Sequence, residues 1–286
     1  MPRVLIAGCG YVGEATADLF HQAGWEVEGW TASAESAAKL SGKSYPVVAV
    51  DVAESEQVGV RTKDFDAVIH CASTRGGNID LYRRVYLEGA RNLLGRFARS
   101  TIVFASSTSV YGQKNGEWVT EESAAGPEHE SGKVLRTTEE LVLSGNGIVT
   151  RIAGIYGPGR SALLKRFLAG EAKIDRQNDR FVNQVHRDDV AAALFLLLDR
   201  QSHSGQIYNV VDDHPLLQSE CYRWLAEKLN RALPPVGLST SKGKRGRSNK
   251  RVSNARLRNL GWEPRYPSFA EAMEESVLPS FPRSGS

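Results

Sequence analysis

The sequence predicts a doubly wound α/β fold. Short apolar runs alternate with longer amphipathic stretches through the first half of the chain, and a glycine-rich turn follows the first apolar run directly. Buried strands spaced by helices imply right-handed βαβ crossovers into a parallel sheet covered on both faces. At 286 residues, with 41% hydrophobic and 24% charged residues, the chain has the length for one large α/β domain and a smaller lobe.

The first strand candidate, residues 4–7 (V-L-I-A), is apolar throughout, as a strand with two covered faces requires. It leads through the glycines into an amphipathic helix over 12–23. A second strand over 26–30 precedes a helix over 34–40, and a third over 47–50 reads V-V-A-V. The fourth, 67–71, is followed by a long amphipathic stretch over 81–99. The fifth, 101–105, and sixth, 148–152, flank a helix over 133–144. After Gly159 the regularity breaks into helices over 163–169, 190–199, 220–229 and 269–275, interrupted by a Pro-, Lys- and Arg-rich segment over 233–252. The expected division is a main domain over 1–160 and a smaller C-terminal substrate lobe over 161–286, with a segment near 182–212 returning to the main domain.

A net charge of +3 points to no particular partner. The one basic run, Lys242–Arg251, carries no aromatic or amphipathic pattern and reads as a solvated loop, so no nucleic-acid partner is expected. Cys9, Cys71 and Cys221 are odd in number and widely spaced, which fits no disulfide or zinc framework and suits a reducing cytosol. The first strand begins at Arg3, leaving no room for a leader, and the most apolar helical stretch, 191–198, is too short to cross a bilayer. The expectation is a cytoplasmic protein with no metal site and no membrane contact.

Gly8-Cys9-Gly10-Tyr11-Val12-Gly13 fits G-x-G-x-x-G between a strand and a helix, the context that makes the pattern specific for a dinucleotide. The first glycine permits the tight turn, the second lets the backbone approach a pyrophosphate, and the third lets the helix pack on the strand. Amide groups at the helix start then face the phosphates. An acid at the end of the second strand would select NAD, and a base NADP. After Glu28 this chain offers Trp30, Thr31, Ala32 and Ser33, so NAD and NADP both remain open, with Thr31 as the ribose-side candidate.

Later segments carry a family resemblance. Asp51-Val52 resembles an adenine-contacting pair, and V-I-H-C-A-S over 68–73 resembles a fourth-strand motif beneath the cofactor, with Cys71, Ala72 and Ser73 as cofactor candidates. Ser106-Ser107-Thr108-Ser109-Val110-Tyr111-Gly112 matches S-S-x-x-V-Y-G. R-I-A-G-I-Y-G-P-G over 151–159, V-H-R-D-D-V over 185–190, Y-N-V over 208–210 and L-G-W-E-P over 260–264 follow in order. In these motifs the chain resembles the extended short-chain dehydrogenase/reductase superfamily, the NAD-dependent epimerase/dehydratases. The resemblance implies a Rossmann-type sheet, NAD or NADP as cofactor, a small-molecule substrate, and a homodimer built on the helices over 81–99 and 133–144.

The resemblance fails where the family keeps its Y-x-x-x-K pair. There the tyrosine moves the proton, and the lysine lowers its pKa and holds the nicotinamide ribose. Here Ser131-Gly132-Lys133-Val134-Leu135 stands in the motif's place, with Glu139 after it. Upstream, N-V-x-G-T reads Tyr86-Leu87-Glu88-Gly89-Ala90, and the first loop is G-C-G where most extended members have G-x-x-G-x-x-G. These departures resemble the superfamily's atypical branch. The catalytic candidates are Ser107, matching the family's substrate-orienting hydroxyl, Ser131, and a shifted pair, His129 and Lys133, in which a histidine would replace the phenol. Tyr111, Tyr156, His186 and Asp189 read as packing or lobe-joining residues. The functional expectation is an oxidoreductase or isomerase on a small polar or sugar-like substrate with a degenerate catalytic motif; the alternative is a cofactor-binding sensor without turnover.

Overall fold

Seven parallel strands make the central sheet: β1 (Arg3–Ala7), β2 (Glu26–Thr31), β3 (Val47–Ala49), β4 (Ala67–His70), β5 (Thr101–Ser107), β6 (Ile148–Ile152) and β7 (Ile207–Val210). The computed structural model describes residues 1–74, 76–199, 204–237 and 248–281. Spatial order is β7-β6-β5-β4-β1-β2-β3, so the winding reverses between β1 and β4. In such sheets ligands bind beyond the strand carboxyl ends at that switch point. Register places Val4 beside Val27 on one side and Ala67 on the other, with both β1 neighbours parallel.

The covering helices are α1 (Tyr11–Gln22), α2 (Ala34–Ala38), α3 (Ser55–Gly59), α4 (79–96) and α5 (Glu130–Ser144). They are joined by α6 (Ala162–Leu168), α7 (Arg187–Asp199) and α8 (Gln218–Lys228). Inside α4, Arg83–Glu88 widens into a π turn, which sequence periodicity does not reveal. Just after it, at Gly89, a Cβ would come 3.0 Å from Val52 and 3.3 Å from His70 Nε2, so the helix sits close on β4. The ring of His70 reaches up to the Tyr86 carbonyl at 3.3 Å.

One apolar core packs the sheet against side chains of α1, α5 and α7, and another gathers around Trp30, Phe65 and Phe97. A separate core joins α6, α8 and residues 269–277 through Leu164, Phe167, Tyr222, Leu225 and Phe269. Short parallel strands Gly154–Tyr156 and Gln184–His186 pair between the main sheet and that core.

The motif residues of β5, α5 and β6 form one buried polar network. Arg151, 1% exposed, donates from NH2 to Glu139 Oε2 at 2.8 Å and from NH1 to the Tyr111 hydroxyl at 2.9 Å. Ser106 donates to Glu139 at 2.5 Å, and the Tyr111 hydroxyl donates to Asn209 Oδ1 at 2.8 Å. Asn209 N–H in turn donates to Glu121 at 2.7 Å. This network ties three neighbouring strands to α5, and each polar group in it has a partner, as burial demands.

The basic run departs from the solvated loop expected of it. Residues 242–247 lie outside the described set, but Lys250–Val252 forms a strand beside Glu117–Val119. Lys250 is only 4% exposed, and its ammonium donates to the Tyr111 carbonyl at 3.0 Å and to Ser248 Oγ at 3.1 Å. Burial pulls its pKa down to about 8. Arg251 packs over Trp118 and Phe181.

Candidate active site

The glycine turn shows why each glycine stands where it does. Gly8 has φ +112°, and a Cβ on it would come 2.2 Å from the Ala72 backbone nitrogen. A Cβ on Gly13 would come 2.2 Å from the Gly8 carbonyl oxygen. The turn is thus pressed between β4's exit and the start of α1. Gly10 caps α1 with no side-chain hydrogen bond. The first amides of a helix have no partner within it, so these donors are free to receive an anion.

Around the turn, the cofactor candidates fall on the loops that leave β1, β2, β3 and β4. Val12 is half-buried on the first turn of α1. Thr31 is buried and donates its hydroxyl to the Ser33 carbonyl at 3.1 Å. Glu28 faces away, accepting from the Trp30 indole at 2.8 Å and lying 3.7 Å from Lys63. No carboxylate therefore marks the end of β2. Asp51 accepts from the Ala53 amide at 3.0 Å and sits 3.4 Å from Arg84, while Val52 is buried with its carbonyl held by Asn92. Cys71 donates to the Gly8 carbonyl at 3.3 Å, Ala72 is half-buried, and Ser73 is exposed. Burial raises the Cys71 thiol, and raises Cys9 to about 12 with help from Glu14, so neither is a reactive thiolate at neutral pH.

The catalytic candidates divide. Ser107 ends β5 half-buried, and its hydroxyl accepts from the Ser109 amide at 3.2 Å. Ser131 is half-buried in the first turn of α5. That turn packs on the one after Ser107: a Cβ on Gly132 would lie 2.4 Å from Pro127 and 3.6 Å from the Ser109 carbonyl. Lys133 is exposed and pairs with Glu130 at 2.7 Å. His129 is exposed at the helix start and makes no capping bond. Leu135 is 4% exposed within the main apolar core. Among the described residues, no His, Cys, Asp and Glu side chains gather to hold a metal ion.

The V-H-R-D-D-V segment does structural work. Asp189 accepts from the Arg265 and Tyr266 amides at 2.6 and 3.1 Å, clasping the segment that follows L-G-W-E-P. Burial raises it to about 6 despite those bonds. His186 Nδ1 accepts from the Asp188 amide at 3.2 Å, which leaves Nε2–H to donate to Ser276 at 2.9 Å. His186 and His70 have no side-chain exposure to solvent, and burial lowers each to about 4. The unfolded chain takes up these protons near histidine's ordinary value of 6.5 and the folded chain does not. Their stabilising contribution is therefore full above that value and is lost as pH falls toward 4. Replacing His70 with Gln should flatten this loss by about 3 kcal/mol between neutral pH and pH 4, read from urea midpoints. An acid limb as steep as the wild type's would refute it.

Sequence reasoning missed two side chains at the turn, Arg160 and Arg187, both stacked on Tyr11. Arg160 directly follows R-I-A-G-I-Y-G-P-G and Arg187 lies within V-H-R-D-D-V, but neither position belongs to the part of its motif that the resemblance gives a role.

Residues 4–210 match the NAD dependent epimerase/dehydratase family, and the chain belongs to it. Protein YeeZ of Escherichia coli strain K12 is 33% identical over 282 residues, spanning 93% of this chain and 97% of that protein. A candidate NAD-dependent epimerase/dehydratase from Methylobacillus flagellatus superposes with TM-score 0.78 at 29% identity, covering 96% of each chain. A short-chain dehydrogenase/reductase superfamily protein from Agrobacterium tumefaciens, with bound NAD, reaches TM-score 0.79 at 20% identity over 95% of each chain and shares the fold. Among the described residues, no helix is long and apolar enough to cross a membrane.

Proposed function

We propose that the chain binds NAD(H) or NADP(H) and acts as an epimerase/dehydratase-like oxidoreductase or isomerase on a small polar or sugar-like substrate, through a degenerate catalytic motif. The observation that carries this reading is the glycine turn, whose helix-start amides lack a side-chain cap and whose glycines tolerate no Cβ at positions 8 and 13. These donors fit a pyrophosphate. Thr31 and Ser33 would face the ribose, Asp51 and Val52 the adenine, and Cys71, Ala72 and Ser73 would lie beneath the ring system. The cofactor, when bound, supplies hydride exchange. The fold neighbour from Agrobacterium tumefaciens carries NAD, which supports the assignment without separating NAD from NADP.

The chain's own residues do less than the family's usual pair. Ser107 would orient a substrate hydroxyl or carbonyl. Ser131 offers a hydroxyl far less acidic than a phenol, and Leu135 offers no charge to tune it. The burial of Leu135 and the outward ion pair of Lys133 favour a second reading, a cofactor-holding sensor without turnover.

Assays of the wild type, Ser131→Ala and His129→Ala against nucleotide sugars and small carbonyl compounds test this. Slow turnover that falls further in Ser131→Ala is the expected result. Vigorous turnover that survives Ser131→Ala and collapses in His129→Ala would show that the acid has moved to the shifted pair. An inert wild type that still binds cofactor would leave the sensing role.

A further inference from the structure

Two guanidinium groups converge on Tyr11. The Arg160 guanidinium carbon lies 5.1 Å from the ring centroid and that of Arg187 lies 5.0 Å from it. Tyr11 opens α1, and helical side chains lean back toward their own N-terminus, so the ring stands at the mouth of the glycine turn. Its hydroxyl donates to the Pro158 carbonyl at 3.1 Å.

The loop holding Arg160 is preformed. Gly157 and Arg160 exchange backbone hydrogen bonds of 2.9 and 3.0 Å, and the Gly159 amide donates to Ser280 Oγ at 2.8 Å. Gly157 has φ +152°, and a Cβ there would come 2.7 Å from the Tyr11 hydroxyl, so glycine permits this close approach.

Charge at this point is unbalanced. Asp188 pairs with Arg187 at 2.9 Å, while Arg160 is exposed and forms no ion pair among the described residues. Away from the Tyr11 ring, Lys43 pairs with Glu14 and Asp18 at 2.7 and 2.8 Å and Arg84 pairs with Glu54 at 2.7 Å, whereas Arg187 lies over the same ring as Arg160. Arg160 and Arg187 are thus the side-chain cations best placed to meet an anion beside the helix-start amides. A guanidinium matches phosphate oxygens in a two-point geometry that suits this role.

We propose that Arg160 and Arg187 grip the pyrophosphate of the bound dinucleotide from the side of the smaller lobe, with Tyr11 as the plate that aligns them. This rests on the cofactor reading above. Because Arg160 follows the Gly154–Tyr156 strand and Arg187 begins α7, the grip ties the bound cofactor to segments already seated against Tyr11 of α1.

Calorimetric titration of NADH into the wild type, Arg160→Ala, Arg187→Ala and Arg160→Lys tests the grip, with NADPH titrated into the wild type and adenosine as a ligand that lacks phosphates. Each alanine variant should bind NADH about tenfold or more weakly, the loss expected of a charge-assisted hydrogen bond. Arg160→Lys should recover part of the loss, and adenosine affinity should stay unchanged. The salt dependence of NADH affinity should shrink in both alanine variants, since a screened attraction has been removed. Wild-type NADH affinity in both alanine variants overturns the grip while leaving the cofactor reading intact. So does an equal loss for adenosine, which would mean general damage to the site. A wild type that binds neither NADH nor NADPH removes the cofactor reading itself, and the grip with it.

Discussion

Replacing Arg151 with alanine is expected to cost about 3 kcal/mol of stability, the low end for breaking a buried pair, because it removes the buried one of the two guanidiniums on Glu139 and leaves only the half-buried Arg136. The Arg151 and Glu139 side chains are almost wholly buried, at 2% and 0% exposure, so solvent cannot compensate. The Tyr111 hydroxyl would also lose its contact with Arg151, which weakens the tie from β5 through Asn209 to β7. In a chain of this size the loss should lower Tm by on the order of 10 °C. A double-mutant cycle with Glu139→Leu should show strong coupling, the pair change costing less than the sum of the singles. Additive effects would mean that the ion pair is incidental to the fold.

The second large effect is chemical. Ser131→Tyr combined with Leu135→Lys is expected to raise turnover on nucleotide sugars or small carbonyl compounds, by roughly 100- to 10,000-fold if a tuned acid is the missing element. Ser131→Tyr alone should gain less, since the phenol would keep its ordinary pKa. Leu135→Lys alone should lower stability, because position 135 lies in the main apolar core. No gain from the double change would mean that the site has diverged beyond its acid and base.

Much of the fold was legible because its signals are local. The V-L-I-A run of β1, the glycine turn and the start of α1 lie within two dozen residues, and strand, turn and helix follow from periodicity and backbone sterics alone. The neutral end of β2 was legible in the same way. The polar network was not, because it joins Tyr111 to Asn209 and Glu139 to Arg151 across the sheet, and sequence order carries no trace of those pairings. Lys250 was misread for the same reason: a lysine in a basic run looks solvated until the Tyr111 carbonyl is brought to it from 139 positions away. The close approach of Gly89 in α4 to Val52 and His70 is likewise a tertiary fact.

At the candidate site, the absence of the Y-x-x-x-K pair was legible from counting, and its consequence needed coordinates. Lys133 turns outward to Glu130, and Leu135 turns into the core. The helix period separates residues two apart onto different faces, so a lysine displaced by two positions does not inherit the family lysine's direction.

The central claim is that the glycine turn holds a nicotinamide dinucleotide. Calorimetric titration of NADH and of NADPH into the wild type, beside Gly10→Val, tests it most directly. The account predicts saturable binding of at least one cofactor to the wild type, strongly weakened in Gly10→Val, whose side chain would stand where the pyrophosphate approaches, with far-ultraviolet circular dichroism showing the variant still folded. A folded wild type that binds neither cofactor at millimolar concentration would contradict it.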